Sequence, residues 1–219
     1  MKKLIFAAVA ALFVSSCSTV PKISSETTAE PGREGFYAVT NLQQFASAQI
    51  KNADVFQKYT KVIYSELNVA DIEIDKSRLS RSNDYWELKD KDVTAAQRMF
   101  VEQLNKYYQK ERNLSRVSDA QENTLKVEVA LTKYRPNAPR DDSRGRGAGE
   151  MYFTEGAGRL YMVTQVSDAQ SGELLAVFED DRELGSTWEK DSQTNNTRRF
   201  KQGLYTWIQR IDNAIAQLR

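Results

Sequence analysis

The run Leu125-Lys126-Val127-Glu128-Val129-Ala130-Leu131-Thr132 decides the fold. Apolar residues hold every odd position, and polar or small residues hold every even one. A two-residue period of this length is the signature of a strand with one face on a core and the other toward solvent. Such a strand needs partners, and the chain supplies them on both sides.

Downstream, Arg159 to Val166 and Glu173 to Asp181 are β-rich runs joined by Asp168-Ala169-Gln170-Ser171-Gly172, with glycine where a hairpin turn asks for positive φ. Upstream, Lys61 to Leu67 predicts a strand, Val69 to Ile74 its extension or a second short piece, and Leu114 to Ser118 another. Val93, Ala96, Phe100, Leu104 and Tyr107 recur at three- and four-residue spacing, which predicts an amphipathic helix from about Lys91 to Arg112 capped by Asp90. Phe200, Leu204, Trp207, Ile208, Ile211, Ile215 and Leu218 predict a second, C-terminal helix. Gly203 interrupts that helix at a cost of about 1 kcal/mol relative to alanine, which points to close packing against the sheet. Phe36 to Tyr59 has no clean period and reads as an irregular lead-in with one short helix. Together these elements predict a two-layer α+β domain: a mixed or mostly antiparallel sheet of four to five strands with two long helices on one face.

The N-terminus carries a different message. Lys2 and Lys3 precede the apolar run Leu4 to Val14, which is too short for a membrane-spanning helix of roughly 20 residues. It ends in Val14-Ser15-Ser16-Cys17, and Cys17 is the only cysteine in the chain. An ordinary secretory cleavage site would need only the small residues. The stretch resembles the bacterial lipoprotein signal, in which an aliphatic and two small residues precede an obligatory cysteine. That resemblance implies a diacylglycerol thioether on Cys17, removal of residues 1–16, and acylation, commonly by palmitate, of the new amino terminus. Two or three acyl chains anchor a protein stably where one does not. Ser18, rather than aspartate, after the cysteine favours the outer membrane facing the periplasm. Residues 17–34 are polar, with Pro21, Pro31 and Gly32, and read as a flexible tether. Residues 35–219 are then a single periplasmic domain.

Composition excludes several classes of function. Two of the 31 basic residues leave with the signal, so 29 remain against 30 acidic ones, and this near-neutrality argues against a nucleic-acid partner. Histidine is absent, which removes Ser-His-Asp and Cys-His catalysis and His-ligated metal sites. With one cysteine there is no disulfide, so the core alone must hold the fold. No cofactor or metal is expected.

In order along the chain stand the lipobox, Gly35-Phe36, Asp54-Val55-Phe56-Gln57-Lys58-Tyr59-Thr60-Lys61-Val62, the alternating run from Leu125 to Thr132, Asp168-Ala169-Gln170-Ser171-Gly172-Glu173-Leu174-Leu175-Ala176 and a tryptophan-containing final helix. This order resembles a proteobacterial lipoprotein family catalogued as domain of unknown function 3313. The resemblance covers nearly all of the mature chain. It implies the envelope address and the fold, and it carries over no catalytic or binding residue.

Two segments are candidates for chemistry. Tyr134 to Gly149 holds Arg135, Arg140, Arg144 and Arg146 against Asp141 and Asp142. Guanidinium groups suit carboxylate and phosphate, so this loop is a candidate surface for a lipid head group, a cell-wall polymer or an acidic protein face. The plainer reading is a solvated loop whose charges partly cancel. The segment from Glu179 to Asp191 holds six acids beside Trp188, and paired carboxylates can cleave glycans. Adjacent strand residues point to opposite faces, so Asp180 and Asp181 should not converge. Asp168, Gln170, Gly172 and Glu173 lack the alternating oxygen ligands of a calcium loop, and Arg144 to Gly149 lacks the lysine and helix of a phosphate loop. The sequence thus predicts a non-enzymatic, lipid-anchored envelope-binding or structural module, with a carboxylate-based cell-wall glycan hydrolase as the alternative.

Overall fold

The computed structural model describes residues 20–42, 44–79, 86–140, 149 and 151–219. They form, in chain order, β1 (Lys22–Thr27), β2 (Tyr37–Thr40), β3 (Ser47–Ile50), β4 (Lys61–Tyr64), β5 (Glu73–Ile74), α1 (Asp90–Tyr107), β6 (Ser115–Arg116), β7 (Thr124–Pro136), β8 (Phe153–Glu155), β9 (Gly158–Asp168), β10 (Leu174–Glu183), β11 (Trp188–Lys190) and α2 (Gln193–Gln217).

The alternating run lies in β7, with Leu125, Val127, Val129 and Leu131 buried and Lys126, Glu128 and Ala130 less so. Around it the strands run β1-β2-β3-β10-β9-β7-β4-β6, with β5 also on β7, in a mixed sheet of nine strands. This corrects the expected four to five. β4, β5 and β6 pair parallel to their neighbours, whereas β1-β2, β2-β3, β3-β10, β9-β10 and β7-β9 are antiparallel. The extra strands β1, β2 and β3 come from the stretches read as tether and irregular lead-in. Their sequences, KISSET, YAVT and SAQI, are too short and too polar to show a period, so their strand state follows from pairing with β10 outward.

Both helices cover one face. Asp180, Met162 and Leu131 are register neighbours, and Asp180 meets Trp207 of α2. Tyr64 is level with Val127 on that same face and lies edge-on to Phe100 of α1 at 6.2 Å. The predicted helices are present with shifted ends. α1 has Lys89 as its N-cap, and Asp90 is the first helical residue. The capping role falls to Asp92, which accepts from the Lys89 N–H at 2.9 Å. α2 approaches the sheet closely at Gly203, where a Cβ would stand 2.8 Å from Cδ2 of Leu184.

The hairpin turn is as expected. Asp168 Oδ1 accepts from the N–H groups of Gln170 and Ser171, both at 2.9 Å, and Gly172 takes φ 73°. Its other oxygen accepts from the Tyr59 hydroxyl at 2.7 Å. The uncovered face of the sheet is crossed by ion pairs, including Arg33 with Glu179 at 2.6 Å, Lys133 with Glu73 at 3.0 Å, and Arg159 with Asp181.

Candidate functional site

A register shift in β7 between Leu131 and Lys133 inserts Thr132 as an extra residue, so Leu131 and Tyr134 both face the helices. Tyr134 donates its hydroxyl to the Ala157 carbonyl at 2.7 Å, and Trp86 packs edge-on against its ring at 5.1 Å. Burial raises the Tyr134 pKa, so it is a neutral donor. Between these rings, the first halves of α1 and α2, and the sheet lies a cavity of about 380 Å³. Val69, Ile72, Val93, Ala96, Met99 and Phe200 give it a mainly apolar lining. Its size falls within the range of small-molecule sites.

One wall is charged. Arg140 makes a two-pronged contact with Asp92, Nη1 to Oδ2 at 2.7 Å and Nη2 to Oδ1 at 3.2 Å, and Nη1 also donates to the Glu87 carbonyl at 3.0 Å. Its guanidinium lies 5.1 Å from the Trp86 ring centre. Burial pushes the Asp92 carboxyl up, but Arg140 and the Lys89 amide more than reverse this and leave its pKa lowered. The pair is therefore ionised on both sides.

The four arginines singled out in sequence do not act as one described group. Arg140 belongs to the cavity wall. Arg135 lies within β7 opposite Arg159, on the face away from the helices, and its Nε is buried without a hydrogen-bond partner among the described residues. Arg144 and Arg146 lie outside the described residues, as does Cys17. Sequence reasoning missed Asp92, because its contact with Arg140 spans 48 positions. The one available signal is the place of Asp92 in the first turn of a helix.

The acidic segment is built into the scaffold. Asp180 Oδ2 accepts from Trp207 Nε1 at 2.7 Å and Arg210 Nη1 at 2.8 Å, on the helix side. Asp181 pairs with Arg159 on the opposite side, as adjacency in a strand requires. Glu179 holds Arg33, Glu183 holds Arg78 and Arg159, Glu189 holds Arg198 and Arg199, and Asp191 accepts from Asn196. No group of three or more potential metal-ligating side chains occurs among the described residues.

Past a bend at Gly156 and Gly185, the β9-β10 ribbon continues as a small two-stranded arm, β8 with β11. Its inner side is fixed to α2 by Arg199, which is fully buried. Arg199 donates to Glu189 at 3.0 Å and to the carbonyls of Thr154 at 3.3 Å and Thr187 at 3.0 Å. Its outer side is exposed.

Residues 1–18 match the prokaryotic membrane lipoprotein lipid attachment site, so the chain is a membrane-anchored lipoprotein. No helix among the described residues is long and apolar enough to cross a membrane. Residues 43–211 match the family described as Protein of unknown function (DUF3313), and the chain belongs to that family. No curated protein matches it. Among solved structures it is similar to a PelC dodecamer from Paraburkholderia phytofirmans, with 11% identity, 68% of this chain and 88% of that chain covered, and a TM-score of 0.31. It is also similar to a neuraminyllactose-binding hemagglutinin homolog from Helicobacter pylori, with 11% identity, coverage of 71% and 83%, and a TM-score of 0.34.

Proposed function

We propose that this lipoprotein is a non-enzymatic binding module of the outer membrane, facing the periplasm, whose cavity receives the apolar part of an envelope component. The observation that carries this reading is the cavity of about 380 Å³, lined by aliphatic side chains and closed on one wall by the Arg140–Asp92 pair and Trp86. Apolar walls with a few placed polar groups bind and orient a ligand. The non-enzymatic reading is supported by the acids from Glu179 to Asp191, each held by a structural partner. Outer-membrane placement rests on Ser18 following Cys17.

The test is in-cell cross-linking of the lipidated protein, with identification of what it captures, for the wild type and for Ala96→Phe, which fills the cavity. Capture by the wild type and its loss in the variant is the expected result. Equal capture by both, or none by the wild type, overturns the reading. Membrane fractionation checks the address: Cys17→Ala should leave the outer-membrane fraction or remain unprocessed.

A further inference from the structure

Three large apolar side chains stand in the open on the arm: Trp188 is 68% exposed, Met151 63% and Phe153 50%. Such residues scattered singly need no explanation, but these share one small face. Phe153 is the cross-strand partner of Lys190, and Trp188 of Glu155, so all four lie on one side of the two-stranded ribbon. Met151, two residues before Phe153, adds to it. Thr154 and Glu189, on the other side, are the ones held by Arg199. The face is thus presented by a fixed element.

The sheet register locates this face relative to the anchor. Lys22 pairs with Thr40, and Ser47 in β3 pairs with Glu179 in β10. β2 and β3 pair through Tyr37 with Ile50 and Ala38 with Gln49, which brings Thr40 level with Ser47. Lys22 is therefore level with Glu179, and β1 runs opposite to β10. The chain before Lys22 comes in from the end of the sheet toward which β10 runs, and β10 leads at that end through Leu184 into the arm. The lateral distance is short: three strand spacings separate β1 from β10, about 14 Å. The five residues from Cys17 to Lys22 reach at most about 18 Å. The chain therefore leaves β1 for its anchor at the end of the sheet that carries the aromatic face.

We infer that the outer face of the arm, Met151, Phe153 and Trp188 with the charges of Lys190 and Glu155 beside them, rests in the interface of the membrane that holds the Cys17 lipid. Indole and phenyl rings favour the headgroup boundary, and a lysine beside them keeps its ammonium in water while its stem lies on the apolar surface. Three side chains bind a bilayer weakly alone, but the anchor holds that bilayer at high effective concentration. The contact orients the domain on the membrane. This inference does not depend on what occupies the cavity.

The test uses the full lipidated chain in vesicles of phosphatidylcholine, with and without phosphatidylglycerol, carrying brominated acyl chains. Bromine quenches only indoles that reach it, and of the three tryptophans Trp207 is buried in the core. The expected result is quenching in the wild type that Trp188→Leu largely abolishes. A Met151→Ser, Phe153→Ser double variant, which keeps all three tryptophans, should lose most of it too. Thermal unfolding of each variant should match the wild type, because all three side chains are exposed. Quenching in both vesicle types marks apolar insertion, and quenching only with phosphatidylglycerol marks a contact completed by charge; either supports the inference. Wild-type quenching equal to that of Trp188→Leu overturns it, as does Trp188 shielded by cross-links to a second copy of the chain.

Discussion

Tyr107 on α1 donates its hydroxyl to Asp212 on α2 at 2.9 Å, joining the two helices at the end of the sheet farthest from the arm. Asp212 is fully buried and also accepts from the Asn113 side chain at 2.9 Å and from the N–H groups of Asn113 and Leu114, at 3.3 and 3.2 Å. One carboxylate on α2 thus satisfies donors from α1 and from the turn between α1 and β6. Asp212→Ala should cost about 3 kcal/mol or more, because it strands several buried donors. Asp212→Asn, which keeps the shape, should cost less. Urea unfolding of the two variants measures the difference.

Asp168 should set the acid side of the stability profile. The Ser171 amide, the Tyr59 hydroxyl and the Gln170 amide hold its carboxyl well below the usual range. A pKa depressed by folding contributes stability that is present above the unfolded value, about 3.9, and is lost as pH falls below it toward the folded value. Acid titration of stability should therefore show a decline starting near pH 4. In Asp168→Asn that decline should be shallower, from a lower plateau at neutral pH.

Tyr64 and Tyr108 should contribute to the alkaline side, with the other buried tyrosines. Their hydroxyls lie 3.3 Å apart, and burial first of all raises both pKa values above the ordinary tyrosine value. A folded pKa above the unfolded one gives stability that is complete below about pH 10 and falls as pH rises past it. Tyr108→Phe removes one of these groups, so its alkaline unfolding should begin at higher pH than that of the wild type. Circular dichroism across a base titration gives the comparison.

Gly158 opens β9 at φ 139°, where a Cβ would stand 2.4 Å from the Arg135 carbonyl oxygen. Neither the dihedral nor the backbone contact can yield cheaply. Gly158→Ala should destabilise by about 3 kcal/mol or more, read as a lowered melting temperature.

The centre of the fold is legible in the sequence, and its margins are not. β7, the β9-β10 hairpin and both helices bury continuous stripes, so hydrophobic periodicity marks them. β1 and β2 expose most of their side chains, β3 buries Ala48, Gln49 and Ile50 without alternation, and the three are assembled in series onto β10, far along the chain, which no local pattern records. Strand alternation alone resolves the acidic segment, because it separates Asp180 from Asp181. The cavity is illegible for another reason: it arises where an extra residue, Thr132, turns Tyr134 inward and where Arg140 reaches a helix start 48 positions earlier. Composition carries no trace of either event.

The outermost strand also gives this protein a variable leash. β1 is held along one edge by β2 alone, and nearly all its side chains are exposed. Tension arriving from Cys17 at the end of the sheet would pull along β1 and load its hydrogen bonds to β2 together. Detaching it, together with the Arg33–Glu179 pair, would lengthen the chain between Cys17 and the body from five residues to the twenty that end at Tyr37, extending the reach from about 18 Å to about 70 Å. The remaining strands and both helices would stay packed, so the body could be drawn away from the bilayer without being unfolded.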